Sequence, residues 1–323
     1  AVYYRMKTSQ YFLEKENPIL RLLEKTVNTF SRTLGVKKSP KLRIKIYGSV
    51  TQILLHRHEY EALEKYLLKT YKEFLQDKLF HKENHNLKLE MLHYLVNASF
   101  KNKKYEQSLK YAEKMHDAMM EHSKLHYDKF LFFYYNSLVI NHSVLDKDKA
   151  IAVLEDVLAN KTLKNTPFYE LFVYLNLAIL LFEKKDFHTS VKNLNKLYLH
   201  PEYKNADLTL KFKIAITELI IRYELLDFDY LETKITQVKR QFKKAFNDSE
   251  NIREKEFLSI LKRMIAVPAL TRDKKLLSKI QRFFSSKIVL DDTELINYSN
   301  WLKGKIQLSI PKEHEFKENS SWK

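Results

Sequence analysis

Apolar residues recur along the chain at three- and four-residue spacing, as in Leu89, Leu92, Leu95 and Val96, and again in Tyr105, Leu109 and Ala112. That spacing puts them on one face of an α-helix. The periodic runs last about 15 to 20 residues, a usual length for a globular helix. Polar tetrads such as residues 101 to 104 and 183 to 186 interrupt them. A connection that short makes its two helices antiparallel, so the unit predicted is a helical hairpin. Proline marks the ends. Asn17-Pro18, Ser39-Pro40 and Thr166-Pro167 each pair a capping residue with a proline that has no N–H to leave unsatisfied, and so predict helix starts. Pro201, Pro268 and Pro311 follow periodic runs and predict helix ends.

The hairpins repeat. The aromatic residue after the turn is Tyr60, Tyr105, Phe187 and Phe228 in successive units, at intervals of 45, 82 and 41 residues. Three positions on stand Leu63, Ser108, Ser190 and Leu231. The double interval holds a further unit, "DKDKAIAVLEDVLANK", with Ala150, Leu154 and Val157 in the second-helix positions, and a sixth copy appears at "DKKLLSKIQRFF".

Tyr174, Leu177, Ala178, Phe187, Ser190 and Leu194, followed by Leu92, Leu95, Tyr105, Ser108 and Ala112, resemble the pattern of the tetratricopeptide repeat family. The units here are longer than the family's repeat of about 34 residues, and more degenerate. The resemblance implies an all-α fold, a right-handed α-solenoid of antiparallel hairpins. Residues 1–40 would form an atypical N-terminal hairpin, 41–290 about six repeats, 291–306 a closing helix with Trp301, and 307–323 a solvated tail. No linker divides the chain, which reads as one elongated domain. Tyr105 and Phe187 are expected to fill the space between successive hairpins.

The resemblance also implies two surfaces. First helices of such repeats line a concave groove, here through His93 and Asn97, then Phe132, Tyr135 and Val139, then Leu175, Ile179 and Phe182, then Ile216, Ile220 and Tyr223. An apolar groove of this kind suits a protein or peptide partner such as an amphipathic helix. Second helices form the convex side. There Arg272, Lys275, Lys279 and Arg282 are spaced as one helix face, and Lys239, Arg240, Lys243 and Lys244 cluster one unit earlier.

Composition sharpens this picture. With 3 glycines in 323 residues, against an ordinary share of roughly 7%, little material remains for tight β-turns or phosphate-cradling loops. The absence of cysteine excludes disulfides and thiolate metal sites. No apolar run is long enough to span a bilayer, and a cytoplasmic location is expected. The first residue, Ala1, is not methionine, which leaves room for an upstream signal or domain.

The net charge is +17, unevenly spread. Residues 251 to 290 carry 10 basic and 3 acidic side chains, whereas residues 126 to 165 are neutral. Nucleic acid is therefore a second partner class. Motifs for nucleotide binding, zinc proteolysis or serine hydrolysis are missing. His122 and His126, near Glu121 and Asp128, stand four apart and read as a solvated helix face. No metal or cofactor is expected. The sequence reading is a non-enzymatic scaffold that binds protein or peptide in its concave face. The alternative is a nucleic-acid-associated or regulatory protein acting through the basic convex patch.

Overall fold

A computed structural model describes residues 39–165, 168–247, 251–267, 270–285 and 294–309. Most of the expected N-terminal hairpin and tail, and the starts or ends assigned to Pro18, Pro167, Pro268 and Pro311, lie outside them. All regular structure among the described residues is helical, and no helix among them is long and apolar enough to cross a membrane.

The helices pair as α1 Pro40–His56 with α2 Tyr60–Gln76, α3 His85–Lys101 with α4 Tyr105–Met119, and α5 Tyr127–Leu145 with α6 Lys147–Ala159. Then come α7 Tyr169–Glu183 with α8 Phe187–Leu199, and α9 Leu208–Glu224 with α10 Phe228–Gln241. A short α11, Lys243–Asn247, precedes α12 Ile252–Ala266, α13 Lys274–Ser285 and α14 Tyr298–Ser309. The chain divides into two compact units, one ending at Val173 and the other resuming at Tyr174, so the division falls inside α7 and not at a linker. Within the first unit, helices α1 to α6 each pack on the next in chain order. In the second, α8 to α10 do the same, and then α10 packs on α12, α12 on α13 and α13 on α14.

Four hairpins share one turn. His58, Lys103, Lys185 and Leu226 each take a left-handed conformation, φ 56°, 60°, 64° and 58°, two residues before the aromatic that opens the second helix. In the second of these turns Lys103 N–H donates to the Phe100 carbonyl and Lys104 N–H to that of Ser99, both at 2.9 Å. Lys185 and Asp186 bond to Phe182 and Leu181 in the same way, also at 2.9 Å. These bonds satisfy carbonyls that the end of an α-helix leaves without partners. The α5–α6 hairpin turns differently: Asp146 is extended and its carboxylate accepts from the Asp148 and Lys149 amides, both at 3.1 Å.

The same turn places the anchor aromatics. Tyr105 lies against Phe100, Phe187 against Phe182 and Phe228 against Tyr223, each with ring centroids 5.6 Å apart. The expected filling between hairpins is therefore corrected. Tyr105 and Phe187 are half-buried and clasp the tip of their own hairpin, because the left-handed residue folds the second helix's first side chain back over the last turn of the first. Three residues on, Ser108 Oγ donates to the Val96 carbonyl at 2.8 Å and Ser190 Oγ to that of Ala178 at 2.6 Å. A small side chain at this point lets the two helices approach, and its hydroxyl keeps a partner in the dry contact.

Polar staples join successive hairpins. In the first unit Glu64 of α2 is buried, and its carboxylate accepts from Ser99 Oγ at 3.3 Å, Asn102 Nδ2 at 2.7 Å and Lys104 Nζ at 2.8 Å. In the second, buried Glu218 of α9 accepts from Tyr198 at 2.8 Å and Tyr230 at 2.5 Å, with Lys234 Nζ 3.2 Å away.

The expected closing helix over 291–306 starts later, at Tyr298. Residues 294 to 297 are not helical; Asn297 caps the helix by accepting from the Asn300 amide at 2.8 Å, and Glu294 accepts from the Tyr298 amide at 2.9 Å. Tyr298 is fully buried and stacked on Phe257 at 4.4 Å, and Trp301 Nε1 donates to Glu224 at 2.5 Å. Pro201 follows the end of α8 and opens a 3-10 turn, Pro201–Asn205.

Candidate functional site

The positions assigned to a concave groove are mostly interior. Phe132, Val139, Leu175, Ile179, Ile216, Ile220 and Tyr223 are buried, with Ile216 and Ile220 wholly inaccessible. The correction has a physical reason. Helix α9 is buried continuously from Phe212 to Ile221, all round its circumference, with Lys213 and Glu218 paired inside, so its apolar side chains belong to the core. Only His93, Asn97, Tyr135 and Phe182 keep partial exposure. Of these, Asn97 Nδ2 donates to His93 Nε2 at 3.0 Å, and the imidazole lies 4.7 Å from the Phe133 ring. Burial lowers the His93 pKa to about 4, so it is neutral near pH 7. Tyr135 accepts from Asn160 Nδ2 at 3.3 Å, and Phe182 belongs to the turn clasp.

The basic residues, in contrast, are on the surface. Arg240, Lys243, Lys244, Arg272, Lys275, Lys279 and Arg282 are exposed, and Lys239 is half-buried. They lie on α10, α11 and α13 and on the 3-10 turn Leu270–Arg272. The fold adds Lys262 of α12, which packs between α10 and α13. Burial lowers the Lys239 pKa, and the charges of Lys262 and Lys279 lower it further, so three ammonium groups from three helices share one neighbourhood. Among the described residues no carboxylate lies within ion-pair distance of Lys262, Lys279, Arg240, Lys243 or Lys244. Lys279 Nζ donates instead to Ser259 Oγ at 2.9 Å, and Arg282 to Ser278 at 3.3 Å. A shallow depression beside the cluster is lined by Glu232, Thr233, Thr236, Gln237 and Arg240. Lys262 escaped the sequence reading because it sits on a first helix, ten positions before the stripe begins at Arg272. Its partners in the cluster come from other helices.

Several cations elsewhere are paired. Arg43 pairs with Asp77 at 2.5 Å, Lys305 with Glu224 at 2.6 Å and Arg263 with Asp273 at 2.6 Å. Arg253 bonds to Glu294 while its guanidinium lies 4.2 Å over the Phe283 ring.

One further group differs from expectation. His122 and His126 do not share a helix face: His122, Ser123 and Lys124 are left-handed, with φ 50°, 57° and 62°, which breaks the helix between the two histidines. The break brings His122 and Glu121 to His85 at the start of α3. No protein-family model, no curated protein and no solved structure matches this chain.

Proposed function

We propose that the chain is a non-enzymatic helical-repeat scaffold, a right-handed, tetratricopeptide-like α-solenoid, which captures an acidic protein segment on the surface of α10, α12 and α13. The observation that carries this reading is the convergence of Lys239, Lys262 and Lys279 with no carboxylate to neutralise the last two. Like charges held together cost free energy, and an anionic ligand relieves it. Lysine is a compact point charge and suits carboxylates scattered along a flexible segment. Exposed Glu232 and Glu256 on the same helices make the surface less suited to an unbroken phosphate backbone. The burial of Ile179, Ile216 and Ile220 argues against the concave groove as the principal site.

A double charge reversal, Lys262→Glu with Lys279→Glu, tests the proposal. Binding of a fluorescent poly-glutamate peptide and of duplex DNA is followed by anisotropy across salt concentrations. Both side chains are exposed, so circular dichroism should be unchanged while peptide affinity falls about tenfold or more. Should duplex DNA bind more tightly than the peptide, with a steep salt dependence removed by the same reversal, the partner is nucleic acid. Equal binding of the peptide by parent and variant would assign the cluster to solvent alone. In the same assay, polar substitution of Ile179 or Ile220 should unfold the chain rather than release a ligand.

A further inference from the structure

Among the described residues of the first unit, His85 is the least satisfied buried polar side chain. It is wholly inaccessible, and neither ring nitrogen has a hydrogen-bond partner. Its Nδ1 stands 3.7 Å from Glu121 Oε2, too far for a hydrogen bond. Leaving a buried donor or acceptor unmade costs about 1–3 kcal/mol, so a native chain that keeps one there calls for a reason.

The surroundings supply one. The His122 ring meets the His85 ring edge-on at 4.8 Å, and the His126 ring lies nearly parallel to it at 5.8 Å. One ligand atom from each of His85, Glu121 and His122 lies within 4.8 Å of the others. Residues adjacent in an α-helix point about 100° apart and do not face one target. Glu121 and His122 do so here because the three left-handed residues from His122 to Lys124 reverse the chain.

We propose that His85, Glu121 and His122 form a binding site for a divalent transition-metal cation of the zinc class, with the fourth position open to water or to His126. Two imidazoles and one carboxylate are a donor set for zinc, nickel or cobalt, and not for calcium or magnesium, which take all-oxygen sites. Metal–ligand distances of about 2.0–2.2 Å require the three donors to draw in by roughly 1 Å or more. The burden falls on the exposed 121–124 segment, not on the α3 core. Glu121 divides its two oxygens: Oε1 accepts from Lys88 Nζ at 2.5 Å, while Oε2 faces His85. Lys88 is thereby the outer partner that orients a monodentate carboxylate, as such ligands commonly require. His122 is exposed, so the site opens to solvent on that side and the ion has a way in. The bound ion would tie the start of α3 to the end of α4.

The test is titration of the full chain with Co²⁺ or Zn²⁺, read by cobalt visible absorption, calorimetry and thermal unfolding. One ion per chain should bind, give a tetrahedral or five-coordinate cobalt spectrum and raise the unfolding temperature, because an ion that binds the folded state alone stabilises it. His122→Ala and Glu121→Gln alter partly or fully exposed side chains and should fold. Each should lower affinity about tenfold or more and abolish the thermal shift. His56→Ala/His58→Ala, remote from the cluster in the sequence, should change neither. His85→Gln completes the set; if it fails to fold, the other two variants still decide. Zinc affinity and thermal shift unchanged in His122→Ala and Glu121→Gln, or no binding by the parent chain, would overturn the site.

Discussion

Lys185 and Leu226 occupy backbone positions that glycine would hold at no steric cost. Both have positive φ, and a side chain in the left-handed region costs about 1–2 kcal/mol relative to the right-handed one. Glycine also loses more freedom on folding, which offsets part of that gain. Lys185 is exposed, and Leu226 is 69% exposed, so neither side chain repays the strain through burial. Lys185→Gly and Leu226→Gly should each stabilise their unit by about 1 kcal/mol in urea denaturation. A loss of stability in both would mean the residues contribute contacts that outweigh the backbone term. The same reasoning separates these turns from the 122–124 break, where the left-handed run sets ligand geometry and glycine would loosen it.

At the scale of elements, the polar contact between the first two hairpins concentrates on Glu64. Apolar packing between α2 and α3 carries no register, whereas a buried carboxylate with three donors admits one. Burial alone would raise the Glu64 pKa; the hydrogen bonds and charge of Lys104, with those of Asn102 and Ser99, outweigh it and lower the pKa. A folded-state pKa below the unfolded one contributes stability that is present above the usual carboxylate range. It is lost as pH falls through the lowered value. Glu64→Gln should therefore destabilise by about 2 kcal/mol at pH 7 and make the acid limb of the stability curve shallower. An unchanged acid limb would show that other carboxylates govern it.

For the molecule as a whole, a net charge of +17 works against compactness, and Lys262 and Lys279, which face Lys239 without a carboxylate of their own among the described residues, leave part of that repulsion unrelieved. Added salt screens exposed charges beyond roughly a Debye length and affects buried pairs such as Lys213 with Glu254 far less. The unfolding temperature should rise as sodium chloride increases from low to physiological ionic strength. In Lys262→Glu/Lys279→Glu the rise should be smaller. A fall with salt would mean that surface ion pairs, and not net repulsion, dominate the electrostatics of the fold.

Helix content, the hairpin and its period were legible in the sequence because they depend on local rules. The 3.6-residue spacing, the capping Ser39, and an aromatic at the first position of four second helices act within one hairpin. The exposed basic residues were legible for a related reason, since charge is costly to bury. Which apolar face lines a groove was not legible. In α9 apolar residues occur on every side among a few polar ones, so periodicity offers no way to tell a lining residue from a core one, and only the packing placed Ile216 and Ile220 inside. Nor could the chain announce its left-handed turns, which lack the glycine that normally marks them. Lys262 beside Lys239 and Lys279, and His85 facing Glu121 and His122, are meetings of residues from separate elements. Tertiary structure alone decided them, because neither charge repulsion nor ligand geometry is recorded in the spacing of residues along one helix.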